Sequence, residues 1–144
     1  MKKSVALLHQ LHQTSRVFLK GLNKELERYD IYASEWSILL NLKEYGPMTQ
    51  ATLANHVSIE PPAISNSLMK LERKQLIERR SGLDKRERMV FLTEKTLSNY
   101  AQWEEIAENY RRRMLSGLSE EQQDELYQSL KTIYLMVQPQ EDDL

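Results

Sequence analysis

This chain of 144 residues contains no cysteine, which excludes disulfide bonds, thiolate metal sites and thiol-based redox sensing. It has only four glycines and four prolines, so long irregular loops and low-complexity linkers are not expected. No apolar run approaches the ~20 residues that a membrane-spanning helix requires. The apolar start of the chain is interrupted early by His9 and His12, unlike a signal peptide. The sequence therefore predicts a cytoplasmic protein folded as a single domain with a buried core.

The patterns that carry catalysis are also missing. The four glycines are isolated from one another, so there is no glycine-rich phosphate loop. The three histidines form no zinc-protease pattern and no evident catalytic triad. His9 and His12 share a helical face, as metal ligands can, but no acidic residue lies near them in sequence, so a structural role is favoured. We predict no enzymatic activity, no metal site and no cofactor.

Charge is distributed unevenly along the chain, although the formal net charge is only −1. Between Lys70 and Arg88, eight cations stand against four anions, which leaves +4 over nineteen residues. From Glu120 to the end, seven acids stand against one lysine, which leaves −6. Such segregation lets one face of a protein meet phosphate while another face keeps it in solution.

Apolar residues spaced by three and four positions predict a mainly helical chain. The first helix spans residues 4–28, and a second helix is capped by Ser34 and ended by Gly46 and Pro47. Thr49 caps a short third helix. Pro61 begins a fourth helix, because a residue of the first turn needs no partner for its N–H.

A small β-hairpin and two long helices complete the prediction. The two strands are residues 76–80 and 88–92, joined by a turn that contains Gly82. Thr93 caps a fifth helix that runs to about Ser116. The sequence from Ser119 to Gln122 forms a capping box, which opens a sixth helix.

The long first, fifth and sixth helices carry more apolar positions than a small DNA-binding unit can cover. Surplus apolar stripes on terminal helices commonly pack against the same helices of a second copy. We therefore predict a two-fold dimer. The alternative is that these helices fold back onto their own chain, since apolar faces must be covered in some way.

The fourth predicted helix presents small polar side chains opposite its apolar stripe, which suits docking into a DNA groove. Asn66 is the best candidate for a base contact, because a carboxamide can pair with adenine N6 and N7 together. Lys70 and Arg73 stand further along the helix and suit phosphate. The alternative is ordinary solvated helix surface. The residues predicted to contact DNA from this helix are Pro62, Ala63, Ser65, Asn66, Met69, Lys70 and Arg73.

Cations in the hairpin and the start of the third helix extend this surface. Thr49 and Gln50 could contact phosphate at the N-terminus of the third helix. The alternative for the hairpin is a solvated loop with incidental charges, but eight cations around a helix-turn-helix make that less favoured. The hairpin residues assigned to backbone contact or steering are Arg79, Arg80, Lys85 and Arg88.

Together these segments resemble the MarR family of bacterial winged-helix regulators over nearly the whole chain. The similarity is sharpest in Leu53-Ala-x-x-Val-x-Ile-x-Pro-x-x-Ile-Ser-x-x-Leu-x-x-Leu-Glu72, followed by Leu76-Ile-x-Arg79, Asp84-x-Arg86 and Leu92-Thr93. The hairpin motif, with Asp and Arg two apart and a closing Leu-Thr, is the more specific part, because the helix-turn-helix pattern occurs in many families.

The resemblance implies a winged helix-turn-helix lobe, residues 31–93, and dimerisation helices, residues 1–30 and 94–144. Members of the family form homodimers that bind pseudo-palindromic promoter DNA, commonly repress, and often release it when a small aromatic ligand binds. The resemblance also implies that Arg86 reaches the minor groove while Asp84 holds its guanidinium. A planar guanidinium suits a narrow, electronegative groove better than lysine does.

The resemblance also suggests residues of an effector site, and the sequence differs from the family pattern at two places. The family's effector cavity lies where the dimer helices meet the winged lobe; candidate lining residues here are His12, Arg16, Tyr32, Trp36 and Trp103. The aromatic ones more often belong to a protein core than to a ligand cavity. Gln75 stands where the family usually has glycine, so it must accept a left-handed or distorted helix cap. Glu60 and the residues after it replace the small hydroxyl residues that are more usual there, so no relative's target sequence can be transferred.

The sequence thus predicts a ligand-responsive repressor that binds double-stranded DNA as a homodimer, with a small aromatic effector as a further partner. The alternative is a winged-helix module that works through protein contacts without sequence-specific DNA binding. An acidic or apolar recognition face would indicate that alternative. The polar face with Ser65, Asn66 and Lys70 disfavours it.

Overall fold

The computed structural model describes residues 1–57, 59, 61–81 and 88–138, which are mainly helical with a small sheet. The chain divides into two compact units, Met1–Glu108 and Asn109–Leu144. Within the described residues, no helix is both long enough and apolar enough to cross a membrane.

Helix α1 spans Lys3–Leu26 and continues into a single 3-10 turn, Glu27–Tyr29. The predicted helix over residues 4–28 is confirmed, with its end wound more tightly. Asp30 then adopts a left-handed backbone conformation with φ 57°. The N–H of the next residue, Ile31, donates a hydrogen bond to the carbonyl of Leu26 at 3.3 Å. Leu26 and Ile31 are both buried, so the turn carries the chain back into the core.

Helix α2 spans Ala33–Tyr45, and its predicted cap at Ser34 is wrong. The N-cap is Tyr32, whose backbone N–H donates to Glu35 Oε1 at 2.9 Å. Asn23 of α1 accepts a second hydrogen bond, at 2.5 Å, from the backbone N–H of Ala33. These two side chains satisfy the N–H groups of Tyr32 and Ala33, and Ser34 lies inside the helix.

Helices α3 and α4 form the helix-turn-helix. Helix α3 spans Gln50–Val57, and Thr49 caps it as predicted, since its hydroxyl accepts from the Thr52 N–H at 3.2 Å. Helix α4 spans Pro61–Arg73 and begins where the sequence predicted. Its apolar stripe is fully buried, as expected; the stripe is Ile64, Leu68 and Leu71.

The sheet has three antiparallel strands in the order β1-β3-β2. Strand β2, Ile77–Ser81, pairs with β3, Arg88–Leu92, so that Ile77 lies opposite Leu92. The predicted hairpin is confirmed, with its first strand shifted by one residue. Strand β1, Met48–Thr49, was not predicted, because two residues are too short for an alternating pattern.

Helix α5 spans Glu94–Leu115, and helix α6 spans Glu120–Val137. Thr93 caps α5 as predicted, because its hydroxyl accepts from the Thr96 N–H at 3.3 Å. The capping box before α6 is also confirmed. Ser119 Oγ accepts from the Gln122 N–H at 3.1 Å, and the Gln122 side chain accepts from the Ser119 N–H at 2.9 Å.

Two helical segments leave apolar side chains exposed, one in each unit. In the first unit, the beginning of α1 exposes Val5, Leu8 and Leu11. In the second unit, α6 buries none of its residues, although it carries an apolar stripe. The exposed members of that stripe are Leu126, Leu130, Ile133, Tyr134 and Val137. Faces of this kind normally require cover from another surface.

A buried ion pair joins the start of α2 to the end of α4. The Glu35 side chain is only 2% exposed, and Lys74 Nζ lies 2.8 Å and 3.0 Å from its two carboxylate oxygens. Lys74 Nζ also donates to the Asp30 carbonyl at 2.6 Å and lies 5.2 Å from the ring centre of Tyr32. The pair is therefore well coordinated, as a buried carboxylate requires.

Gln75 ends α4 in the left-handed conformation that the sequence predicted, with φ 62°. Its N–H bonds to the Glu72 carbonyl at 3.0 Å, and the Leu76 N–H bonds to the Leu71 carbonyl at 2.9 Å. This is the hydrogen-bond pattern of a helix end that favours glycine. A glutamine in this place is strained because its Cβ crowds the backbone.

We expect Gln75→Gly to raise the free energy of unfolding by about 1 kcal/mol, because glycine adopts this conformation without strain. Urea titration measures the change. Gln128→Gly, in the middle of α6, is the matched control and should instead lower stability by about 1 kcal/mol. A loss of stability in Gln75→Gly similar to that of the control would contradict this account of the turn.

Lys74→Met should lower the free energy of unfolding by about 2–4 kcal/mol, because it leaves the Glu35 carboxylate buried without its charged partner. Lys3→Met, on the exposed start of α1, serves as control and should change stability by less than about 0.5 kcal/mol. Adding Glu35→Gln to Lys74→Met should restore part of the loss, since the amide carries no charge. Equal stabilities of the two lysine variants would show that the pair contributes nothing.

Candidate nucleic-acid interface

The outward face of α4 follows directly from the burial of its apolar stripe. Because Ile64, Leu68 and Leu71 point into the core, the residues between them on the helical wheel must face away from it. All seven residues of α4 that were predicted to contact DNA are exposed; they are Pro62, Ala63, Ser65, Asn66, Met69, Lys70 and Arg73. The face is polar and cationic, and Met69 is its one large apolar member among those seven.

Side-chain hydrogen bonds tie this face to α3 and to β2. Gln50 Nε2, in the first turn of α3, donates to Ser65 Oγ at 2.7 Å. Arg79 Nη1, on β2, donates to Gln50 Oε1 at 3.4 Å. Arg79 Nε in turn lies 3.3 Å from Glu72 Oε2 on α4. Ser65 is thus the outer end of a chain of polar contacts that crosses three elements.

The described arginines of the hairpin differ in the exposure of their side chains and in their contacts within the protein. The Arg79 side chain is 19% exposed and is engaged by Glu72 and Gln50, so little of it is available to a partner. Arg80 is exposed, pairs with Glu78 and lies 4.5 Å from the ring centre of Phe91. Arg88 is exposed at the start of β3.

Three residues predicted to contact DNA from the hairpin, Asp84, Lys85 and Arg86, lie outside the described residues. The predicted turn at Gly82 does too. The strands that flank them are paired as far as Ser81 and Arg88, so the hairpin is formed up to its last described pair.

Thr49 and Gln50 begin α3 beside the outward face of α4. The Thr49 hydroxyl lies 3.0 Å from the Thr52 hydroxyl and caps the helix, and Gln50 is bound to Ser65. Both residues are half-buried. Their side chains are therefore engaged within the protein, and a phosphate contact would come mainly from the free backbone donors of the first turn.

A cavity of about 470 Å³ lies within the first unit between α1, α2 and the helix-turn-helix. Its wall includes the buried Glu35 and the exposed Tyr32 and Lys70, so it combines apolar surface with charge. The remaining lining residues are Leu19, Asn23, Ala33, Ser34, Ser37, Val57, Ile59 and Ser67.

Of the five candidate effector residues, Tyr32 lines this cavity. Trp36 and Trp103 are buried in the core, and the Trp36 ring stacks on Tyr100 with centres 5.2 Å apart. His12 and Arg16 are exposed on α1. The structure therefore does not bring the five together around one described cavity.

Sequence reasoning missed the residues that join α2 to α4. An acidic residue three positions after an N-cap is a capping signal, so a cap placed at Tyr32 and not at Ser34 would have assigned Glu35 that role. The pairing of Glu35 with Lys74 spans 39 positions, and no local pattern indicates it. Asn23 likewise caps a helix ten residues away from it.

Comparison with known proteins agrees with this geometry. A family model described as the MarR family matches residues 31–87. The uncharacterised HTH-type transcriptional regulator YwoH of Bacillus subtilis (strain 168) is 37% identical over 94 residues, which are 65% of this chain and 69% of that protein.

Solved structures share the fold at lower identity. The organohalide-sensing transcriptional regulator RdhR-CbdbA1625, in its ligand-free form, has a TM-score of 0.87 at 22% identity, covering 95% of this chain and 82% of that one. A cysteine-to-serine mutant of MarR from E. coli, complexed with operator DNA, has a TM-score of 0.83 at 22% identity, covering 91% and 95%. The fold, the helix-turn-helix and the YwoH match together show that the chain belongs to the MarR family of transcriptional regulators.

Proposed function

We propose that this chain represses transcription by binding a pseudo-palindromic promoter duplex as a homodimer, with α4 in the major groove. The observation that carries the proposal is the outward face of α4, which is polar and cationic and lies opposite a fully buried stripe. A helix of this kind, preceded by a short helix and followed by a hairpin, matches the docking geometry of winged helix-turn-helix proteins. Such a repressor acts on the chromosome, in the bacterial cytoplasm.

Individual residues of the face have different roles in this proposal. Asn66 is exposed in the second turn of α4, where a carboxamide can read adenine. Pro62 and Ala63 offer apolar surface to a thymine methyl group. Lys70 and Arg73 lie further along and neutralise phosphate. Arg86 enters the minor groove, held by Asp84, as the family motif implies.

The homodimer is supported by the uncovered apolar faces. The start of α1 exposes several aliphatic side chains, and α6 exposes its entire stripe. A second copy of this chain would supply apolar surface to cover each of these faces. We assign residues 1–30 and 94–144 to dimerisation and residues 31–93 to DNA binding. Two recognition helices in such a dimer would contact half-sites about 34 Å apart, one turn of B-DNA.

A small aromatic effector is supported by the cavity beside α4. Its volume of about 470 Å³ lies within the usual range for small-molecule sites. The wall provides the Tyr32 ring, the Lys70 ammonium and serine hydroxyls, which suit an aromatic ring with a polar substituent. One neighbour by fold, RdhR-CbdbA1625, has been solved bound to 2,4-dichlorophenol, at 23% identity and a TM-score of 0.87.

Asn66→Ala should reduce the preference for the selected operator over scrambled duplex by about 1–3 kcal/mol, while non-specific binding is nearly unchanged. The operator is first obtained by selecting bound duplexes from a random pool, and it should contain two half-sites related by a dyad. Gel-shift titration then measures both affinities. Asn99→Ala, on α5, is the matched control. Equal losses on operator and scrambled duplex would remove Asn66 as a base reader.

Arg86→Ala should weaken operator binding by on the order of 1–3 kcal/mol and reduce the salt dependence, because one cation fewer displaces counterions from the duplex. Fluorescence anisotropy at several salt concentrations measures both effects. Arg28→Ala, outside the proposed interface, should change neither. An unaltered affinity would exclude the groove role of Arg86, and a flat salt response of the natural chain would point to a protein partner instead.

A further inference from the structure

We propose that Gln50 is a positioning residue that holds the Ser65 hydroxyl as a hydrogen-bond donor toward an acceptor on a base edge in the major groove. The proposal rests on the DNA-binding function argued above and assigns part of its specificity. Ser65 alone could either donate or accept, since a hydroxyl does both and its hydrogen rotates freely. The contacts of the Ser65 hydroxyl within the protein determine whether it is left to donate or to accept a hydrogen bond at the DNA.

The orientation of the Gln50 amide follows from its second partner. An arginine side chain has only donors, so the Gln50 atom that faces Arg79 must be the carbonyl oxygen. The contact is 3.4 Å from Arg79 Nη1 to Gln50 Oε1. The amide nitrogen therefore faces Ser65, and the 2.7 Å contact has Gln50 as donor and Ser65 as acceptor. A flipped amide would place two donors against each other.

Arg79 is itself held in place, which keeps this orientation stable. Its Nε forms an ion pair with Glu72 Oε2 at 3.3 Å, without hydrogen-bond geometry, and its Nη1 donates to Gln50 Oε1 at 3.4 Å. The side chain is only 19% exposed, although it lies on a charged hairpin. An arginine bound in this way contributes less as a phosphate contact and more as the anchor of the Gln50 amide.

Ser65 is consequently left with its hydroxyl hydrogen to donate. Among the described residues, this hydrogen meets no acceptor, and the side chain is exposed on the outward face of α4. In the major groove, guanine, adenine and thymine each present an acceptor, whereas cytosine presents only its N4 amino donor. Ser65 should therefore reject cytosine at the base that it faces.

The experiment compares duplexes selected from a random pool by the natural chain, Gln50→Met, Gln50→Glu and Ser65→Ala. Methionine has a similar length without hydrogen bonds. A carboxylate accepts from both Arg79 and Ser65, which turns the hydroxyl hydrogen away from DNA. We expect the natural chain to exclude cytosine at one position of each half-site. Gln50→Met should weaken that exclusion, and Gln50→Glu should abolish it or favour cytosine.

Affinities for the selected operator provide the second readout. Ser65→Ala should cost about tenfold, close to one neutral hydrogen bond. Gln50→Met should cost several-fold in the natural background and nothing further when combined with Ser65→Ala, because it acts through that hydroxyl. Binding to scrambled duplex and its salt dependence should be unchanged. Gln75→Met, at an exposed position outside both the proposed DNA contacts and the dimerisation helices, is the matched control, and thermal unfolding should show that each variant is folded.

Three results would overturn the proposal. The first is an additive loss of affinity in the double variant Gln50→Met/Ser65→Ala. The second is an equal loss of affinity for operator and scrambled duplex, which would indicate a phosphate contact. The third is an unchanged base preference in Gln50→Glu. Failure of the proposed function is a separate result. In that case the natural chain would select no duplex at all, whereas failure of the Gln50 role would leave selective binding intact in every variant.

Discussion

The site depends first on the burial of one apolar stripe on α4. Ile64, Leu68 and Leu71 are fully buried, and their burial determines which side of the helix faces away from the core. Each such side chain contributes about 1.5–3 kcal/mol when it is removed from water, so rotating the helix by even one position would be costly. The exposed polar face of α4 is thus a consequence of core packing, and the polar contacts along the helix only refine its placement.

Two sets of polar contacts hold α4 at different points along its length. In the first set, Gln50 binds Ser65 near the beginning of α4 and Arg79 pairs with Glu72 in its last turn, which joins α4 to α3 and to the hairpin. Just beyond its end, Lys74 binds the buried Glu35 at the start of α2. Both sets use side chains that sequence composition alone would count as surface charge. Among the described cations between Lys70 and Arg88, Lys74 and Arg79 are therefore engaged within the protein, whereas others are exposed; these are Lys70, Arg73, Arg80 and Arg88.

The cavity beside α4 shares its wall with this second set of contacts. Glu35 lines the cavity and also binds Lys74, just beyond the end of α4. Lys70, on α4 and four residues before Lys74, lines the cavity directly. A ligand in the cavity would therefore lie against the groups that hold the end of the recognition helix. The cavity thus borders the contacts that position the end of α4.

The sequence by itself determined the helices, their order and the outward face of α4, because apolar periodicity and local caps such as Thr49 and Ser119 act within a few residues. It also predicted the left-handed Gln75, from the similarity of its surroundings to a family in which glycine is usual. Tertiary structure alone decided which polar side chains make their contacts within the protein and are not available to a partner. Arg79, assigned to DNA from sequence, is mostly buried against Glu72, and Ser34 yields its capping role to Asn23 and Glu35. Asn23 and Ala33 are ten positions apart, Gln50 and Arg79 are 29 apart, and Glu35 and Lys74 are 39 apart. No local pattern specifies which distant side chain will reach a given charge or free N–H.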